Sequence, residues 1–449
     1  MTDPSERRIG PLFTDLYELT MAAAYYEQGI SSPAVFTLYI RGCPGSRRYY
    51  VAAGLQDALR ELEGFRFAED ELKYLKQTGL FKETFLSYLR GLRFTGDICG
   101  MPEGTIFFEN EPVLEVEAPL IEAQIIETYL INTIGFQTLV ASKAARCVYA
   151  AEGRPIIDFS LRRTQGQDAG VKAARSAYLS GFAATSNVLA GKMYGIPISG
   201  TMAHSYVTAF GREEDAFSAY AKLFPKNAIF LIDTYDTLEG ARCAARVAAR
   251  MKERGDSLIG VRLDSGDMVE LSRSVRAILD DAGLEDVQIF ASSGFDEYQI
   301  ADVISRGAAI DAFGVGTKLG VSADAPYLDI VYKLARLGNR DVRKLSPEKV
   351  TLAGKKQVFR RTDTSLQYMA DVIGCRDESV PEGTPLLSPK MVRGKAAGSS
   401  PSLSSIREAF SGNFADLPGK YKTLDSNAAS YPIAVSRQLE ALQRGVRVV

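Results

Sequence analysis

Through the middle of the chain, short apolar runs each close on a polar cluster, and this rhythm carries the fold prediction. The runs end at Asp158-Phe159-Ser160, Ile198-Ser199-Gly200, Ile232-Asp233-Thr234, Val261-Arg262-Leu263-Asp264, Phe290-Ala291-Ser292 and Phe313-Gly314-Val315, which predicts six strands. Between the later strands, helical periodicity runs from Asp236 or Thr237 to Gly255, from Asp267 to Gly283 and from Asp296 to Gly307, each stretch opening on a capping residue and stopping at glycine. Strands alternating with helices imply parallel pairing. Near-continuous apolar strands such as AIFLI and VQIFA fit a sheet covered on both faces. With a repeat of about 30 residues, the pattern predicts an irregular βα-barrel, a doubly wound open sheet being the alternative.

The flanks read differently. Residues 14–28 predict a helix with Thr14 as N-cap, Asp15 and Glu18 in its first turn, and Leu16, Leu19, Ala23 and Tyr26 on one face. Between Phe94 and Glu117 the turn signals PEG and NEP separate short strands, with Leu114 and Val116 alternating against Glu115 and Glu117. Helical pattern returns from Pro119 to Ala150. This gives an N-terminal α+β domain over residues 1–150, a barrel over 151–337 and a C-terminal region over 338–449, an extension that either forms a third unit or packs back on the first domain. Within that region, Arg393 to Ser405 is small and polar and predicts a mobile surface loop.

Composition narrows the function classes. At 449 residues the chain has room for two or three packed units, and its apolar content excludes large-scale disorder. The 53 basic and 55 acidic residues leave a formal charge of −2, which exerts no global pull toward nucleic acid or an anionic membrane, so any anion site must be local. The cysteines, Cys43, Cys99, Cys147, Cys243 and Cys375, lie far apart, unlike a zinc site or a secreted disulfide scaffold, and fit a reducing cytoplasm. Met1 to Gly10 is polar and charged rather than a signal peptide, and no apolar run approaches the roughly 20 residues that span a bilayer.

In βα-barrels, chemistry gathers where the strands end. Gly314-Val315-Gly316-Thr317 and Ser292-Ser293-Gly294 offer backbone N–H groups and hydroxyls for a phosphomonoester, though the same residues also fit ordinary strand-to-helix turns. Arg162 and Arg163 follow the first strand, where guanidinium groups suit pyrophosphate or carboxylate oxygens; the alternative is a surface pair. Arg262 and Asp264, with Asp267 opening the next helix, suit ribose hydroxyls and magnesium pyrophosphate, or form a structural ion pair. His204 is the single histidine, flanked by Thr201 and Ser205; it fits a nucleophilic or acid-base role or a structural one, and its uniqueness excludes a multi-histidine metal centre.

The segments TDLYELTM (14–21), DFSLRRTQGQDAG (158–170), GFAATSNVLAGKMYGIPISGTMAHSYV (181–207), VRLDSGD (261–267) and FGVGT (313–317) resemble nicotinate phosphoribosyltransferases, and the resemblance runs from about Ile9 to Leu337. It implies an N-terminal β-containing domain beside an irregular α/β barrel, in a homodimer with shared active sites. It also implies that Tyr17 stacks on the pyridine ring from across the dimer interface, that Phe159 covers the other face, and that Arg162 lies near nicotinate and phosphates. Ser186 and Asn187 would line the ring pocket, and Ser205 would join the substrate-binding set. His204 would be the phosphorylated histidine, with Arg262 and Asp264 near ribose and pyrophosphate. Gly294, Gly314, Gly316 and Thr317 would receive the 5′-phosphate.

The implied substrates are nicotinate, phosphoribosyl pyrophosphate and ATP, with Mg²⁺, and the implied product is nicotinate mononucleotide for NAD biosynthesis. Departure of pyrophosphate builds positive charge on ribose, and the pyridine nitrogen needs no deprotonation to attack, so positioning counts for more than a general base. Nicotinamide phosphoribosyltransferase is the nearest alternative. Asn187 in place of an aspartate is expected to favour the acid substrate. Quinolinate phosphoribosyltransferase fits less well, because the match follows the histidine-containing branch. A non-catalytic phosphosugar-binding barrel is a further alternative.

Overall fold

The computed structural model describes residues 10–346, 351–425, 427 and 429–446. The polar stretch Met1 to Gly10 therefore lies, apart from Gly10, outside the described residues. The chain divides into two compact units, one comprising Met1–Ser142 and Tyr327–Val449 and the other Lys143–Pro326. The boundaries thus fall before Lys143 and after Pro326, rather than near residues 150 and 337.

The continuous unit, Lys143–Pro326, is built on a six-stranded sheet in the order Ala184–Thr185, Ile156–Asp158, Ala312–Val315, Gln288–Ala291, Gly260–Leu263, Ile229–Leu231. All its pairings are parallel, giving the half-barrel of an irregular βα fold. Five of the six expected strands are present. The Ile198-Ser199-Gly200 segment makes only an isolated parallel bridge, from Ile198 to Thr185, and the edge strand is instead Ala184–Thr185. Ile198 is exposed, so its apolar character marks surface and not a covered strand.

The later helices run Thr237–Glu253, Met268–Asp281 and Glu297–Ser305, each stopping two residues before the expected glycine. Their caps are Asp236, Asp267 and Asp296, whose carboxylates accept backbone N–H groups of the first turn and complement the positive helix end. The core sits between strands and helices, where Phe217 stacks on Phe230 at 4.7 Å among Val247, Met251, Val261, Val275 and Ile289.

In the discontinuous unit, a seven-stranded sheet runs Arg340–Asp341, Ile330–Leu337, Pro33–Ile40, Pro112–Pro119, Asp97–Gly100, Ser388–Val392, Lys395–Ala396. Ile330–Leu337 pairs antiparallel with Pro33–Ile40, so this strand belongs to the same unit as the N-terminal segment and not to the barrel. A second sheet, of four strands, comes from the C-terminal region: Gly383–Pro385, Lys356–Thr362, Tyr368–Cys375, Ile433–Val435. The alternation around Leu114 does not put Glu115 in water. Its carboxylate is buried, accepting from the Thr37 hydroxyl at 2.8 Å and pairing with Lys356 and Arg376.

Two local expectations change. The first helix spans Leu16–Glu27 with Asp15 at the N-cap, while the Thr14 hydroxyl donates to Glu18 at 2.6 Å. The small polar stretch Arg393 to Ser405 is structured at both ends: Lys395–Ala396 pairs with Ser388–Val392, and Ser402 caps the helix Leu403–Asp416. Glycine and serine serve here as hairpin and cap chemistry, leaving only a short connection between.

Candidate active site

The parallel sheet delivers its polar residues to one edge because every strand runs the same way and ends there. Beneath that rim, within the Lys143–Pro326 unit, lies a small cavity lined by Phe159, Ser199, Thr201, Arg262, Ser292 and Gly314, among others. A larger cavity of about 400 Å³ lies in the other unit, lined by Tyr39, Lys333, Lys356 and Tyr431, and gathers none of these strand-end groups.

Around the small cavity the side chains form one linked set. Asp264, just past Gly260–Leu263, accepts the Ser292 hydroxyl on Oδ1 at 2.5 Å, and its Oδ2 stands 3.7 Å from Nε2 of His204. His204 opens the short helix His204–Thr208, and its Nδ1 lies 3.2 Å from the Thr234 hydroxyl oxygen. Asp233 holds this group from below: its Oδ2 accepts the Asp264 N–H at 2.8 Å and the Ser265 hydroxyl at 2.6 Å, while its Oδ1 is buried without a hydrogen-bond partner. Asp233 and Thr234 close the Ile229–Leu231 run, and the strand-end rule was the one sequence signal that pointed to them and to Ser292.

Arg262 reaches the same place, donating from a terminal nitrogen to the Met202 carbonyl at 2.8 Å, with its Nε buried and unpartnered. Burial pushes its pKa down, against the pull of Asp264 and Asp233 and with a further push from Arg162. Arginine remains charged under such pressure. The result is a desolvated cation poised for an anion. Arg162 and Arg163 sit in the 3₁₀ turn Leu161–Arg163 with exposed side chains.

Phe159 explains the glycines. A Cβ added at Gly314 would stand 2.5 Å from Cε2 of Phe159, and one at Gly316 would stand 3.0 Å from the Phe159 carbonyl oxygen, so only bare backbone fits beneath this residue. Thr317 follows at the start of Thr317–Gly320. Gly294 sits after Ser293, both with positive φ of +69° and +103°, in the turn leaving Gln288–Ala291. The two nominated phosphate loops thus leave neighbouring strands, Gln288–Ala291 and Ala312–Val315.

Asn187 takes a different part from the one expected. It is fully buried as the N-cap of Val188–Tyr194, its Oδ1 accepting the Ala190 N–H at 3.0 Å and its Nδ2 donating to the Gly170 carbonyl at 3.2 Å. Each end of its amide makes a hydrogen bond inside the fold and its side chain is fully buried, which gives it a structural part. Ser186, its half-buried neighbour, is the more accessible of the pair. Asp158 is likewise internal, accepting the Ser160 N–H at 2.8 Å and the Thr185 hydroxyl at 2.7 Å, and burial raises its pKa. Ser205 follows His204 with an exposed side chain. Tyr17 belongs to the discontinuous unit, 46% exposed on Leu16–Glu27, with its phenol pKa raised by burial and then by Glu127 and Glu18.

The chain matches the nicotinate phosphoribosyltransferase N-terminal domain over residues 12–135 and the nicotinate phosphoribosyltransferase family over residues 155–364. It is 48% identical over 434 residues to the nicotinate phosphoribosyltransferase pncB2 of Mycobacterium tuberculosis, covering 96% of this chain and 93% of that protein. With the nicotinate phosphoribosyltransferase of Bacillus subtilis it shares 43% identity over 380 residues, 82% of this chain and 77% of the relative. The crystal structure of human nicotinic acid phosphoribosyltransferase superimposes with a TM-score of 0.85 at 29% identity, over 97% of this chain and 100% of the human one. With a parallel half-barrel and matches over nearly its whole length, this chain belongs to the nicotinate phosphoribosyltransferase family.

Proposed function

We propose that the chain joins nicotinate to the ribose of phosphoribosyl pyrophosphate, releasing pyrophosphate and forming nicotinate mononucleotide for NAD biosynthesis, and that a phosphohistidine at His204 couples this synthesis to ATP hydrolysis. The observation that carries the reading is the juxtaposition of a desolvated Arg262, the Asp264 carboxylate and His204 beside a cavity walled by Phe159. A charge-separating displacement needs an anion at the developing ribose cation and fixed positive charge at the leaving pyrophosphate. Asp264 and Arg262 supply one of each. Phe159 offers a flat face for the pyridine ring, whose nitrogen lone pair attacks the anomeric carbon as the bond to pyrophosphate breaks. The loops at Gly294 and at Gly314, Gly316 and Thr317 take the 5′-phosphate.

In the coupling step the γ-phosphoryl group leaves ATP as its P–O bond breaks, a P–N bond forms to the imidazole, and ADP departs; water later releases phosphate. Among the described residues no group of three or more His, Cys, Asp or Glu side chains is arranged to hold a metal ion. Mg²⁺ would arrive on pyrophosphate and be held by one or two carboxylates, and the buried unpartnered Oδ1 of Asp233 makes Asp233 and Asp264 the residues that would hold it. When bound, Mg²⁺ neutralises charge on the leaving group.

The acid substrate is favoured by the exposed guanidinium groups of Arg162 and Arg163, which attract a ring carboxylate, and not by Asn187. Nicotinamide is the alternative substrate. A homodimer with Tyr17 supplied in trans and a cytoplasmic setting complete the reading; among the described residues no helix is long and apolar enough to cross a membrane. The test is purified protein with phosphoribosyl pyrophosphate, Mg²⁺ and either pyridine, with and without ATP, followed by mass detection of the mononucleotide. Nicotinate should be consumed much faster, and faster still with ATP. Equal or greater turnover of nicotinamide overturns the substrate assignment.

A further inference from the structure

The two nominated phosphate loops are tied to each other by a side chain to which neither the family match nor the strand-end pattern assigns a role. Lys318, next after Thr317, crosses to the neighbouring loop and donates from Nζ to Oδ2 of Asp296 at 2.8 Å and to Oε1 of Gln299 at 3.0 Å. Asp296 uses its other oxygen to cap Glu297–Ser305, accepting the Gln299 N–H at 3.0 Å. One carboxylate thus fixes the first turn of that helix and the lysine of the next loop together. Burial opposes the Asp296 charge, but the Lys318 bond outweighs it with help from the Gln299 N–H, and the carboxyl pKa is lowered.

Beneath the same turn the anchoring is stronger. Glu297, fully buried, pairs with Lys143 at 2.5 Å and Arg146 at 2.9 Å. That holds the helix start and the Ser293-Gly294 turn on the body of the unit. Thr317–Gly320 is a single short turn, with Gly316 against Phe159 and Gly320 against Ser160, and the segment just after it is held by Asp324, which pairs with the same Lys143 at 2.8 Å. At the turn itself, Lys318 is the side chain that reaches the anchored loop.

We propose that Lys318 is a positioning residue, holding the Gly316-Thr317 backbone against the Ser293-Gly294 turn so that both meet the three oxygens of one phosphomonoester. The proposal rests on the phosphate assignment of these loops. Because the ammonium is occupied by Asp296 and Gln299, its effect passes through loop placement and not through direct contact with phosphate.

The experiment measures KM for phosphoribosyl pyrophosphate and kcat in the full-length enzyme for Lys318→Ala, Lys318→Arg, Asp296→Asn, the Lys318→Ala/Asp296→Asn double variant, and Thr317→Ala as a control on the loop itself. Loss of a charge-assisted bond predicts a KM rise on the order of tenfold for Lys318→Ala with a smaller change in kcat. Asp296→Asn keeps the cap oxygen and should reproduce most of that rise, Lys318→Arg should recover most of it, and the double variant should be no worse than Lys318→Ala alone. Additive losses would mean that Lys318 touches phosphate itself, and the positioning role is then overturned. An unchanged KM in Lys318→Ala and Asp296→Asn beside a raised KM in Thr317→Ala overturns the proposal while sparing the phosphate reading. An unchanged KM in Thr317→Ala removes the phosphate reading and the proposal with it.

Discussion

Gly314 shows how little room the site leaves at the scale of one carbon. Its missing Cβ is the space through which the Phe159 ring passes, so Gly314→Ala must move either the ring or the Ala312–Val315 backbone. Overpacking of this kind costs about 1–3 kcal/mol. The expected outcome is a folded protein by circular dichroism whose nicotinate turnover falls by roughly tenfold or more; an unaltered turnover would separate Phe159 from the ring site. Glu213 tests electrostatics at the same rim. Its carboxyl is pushed up to about 7 from the ordinary 4.5 by burial first, then by Glu239, Asp233 and Asp236. The native state therefore holds this proton more tightly than the unfolded chain does, so the group's contribution to stability falls as pH rises from about 4.5 to about 7 and then stays low. Glu213→Gln removes that dependence. Melting temperatures at pH 5 and pH 8 should show the variant gaining on wild type at the higher pH, and a constant difference would contradict the assignment. Residues of this kind divide sharply in legibility. Asp264 draws attention by standing at the end of an apolar run and His204 by being the single histidine, whereas Glu213 opens a helix like any other first-turn acid and is distinguished only by what packs against it.

Whole elements were legible where the signal is local. The three aspartate-capped helices and their glycine stops follow from side chains within a turn of each boundary, and the structure places them within two residues of the expected ends. Ala184–Thr185 was not legible, because two residues carry no periodicity; it is a strand by virtue of pairing with Ile157 and Asp158. Asn187 carries two signals at once. As a polar residue in a motif it suggests a binding role, yet three residues before Ala190 it is also in position to cap Val188–Tyr194, and the cap has claimed it. Asn187→Asp keeps the acceptor for the Ala190 N–H but replaces the donor to Gly170 with a buried carboxylate facing a carbonyl. Stability should fall by about 1–3 kcal/mol in urea unfolding, while the ratio of nicotinate to nicotinamide turnover in the surviving folded enzyme stays the same. A reversed ratio would restore Asn187 to the ring pocket.

At the scale of the molecule, the sequence hides a return of the chain. Ile330–Leu337 follows the barrel repeat directly and reads as its continuation, but its partner is Pro33–Ile40, nearly 300 positions earlier, and no local pattern encodes that distance. The same return makes one unit of the N-terminal segment and the C-terminal region, so Tyr17 and the strand-end residues belong to different units. At the start of the Tyr17 helix and just before it, the surface is apolar where it ought to be wet: Phe13 is 38% exposed, Leu16 55% and Tyr17 46%. Adjacent exposed aromatics and leucine suit a surface that another chain covers. In the proposed dimer, that chain is a second copy whose strand-end site Tyr17 joins. Tyr17→Ala and Asp264→Ala should each be nearly inactive as homodimers, since one lacks the stacking face and the other the carboxylate facing ribose. A heterodimer assembled from the two variants contains one site with both defects and one with neither. Purified through two different affinity tags, it should recover up to half of the wild-type activity per dimer, with a wild-type KM for nicotinate. If verified heterodimers stay as inactive as the parents, Tyr17 serves the site of its own chain or none, and sharing is ruled out.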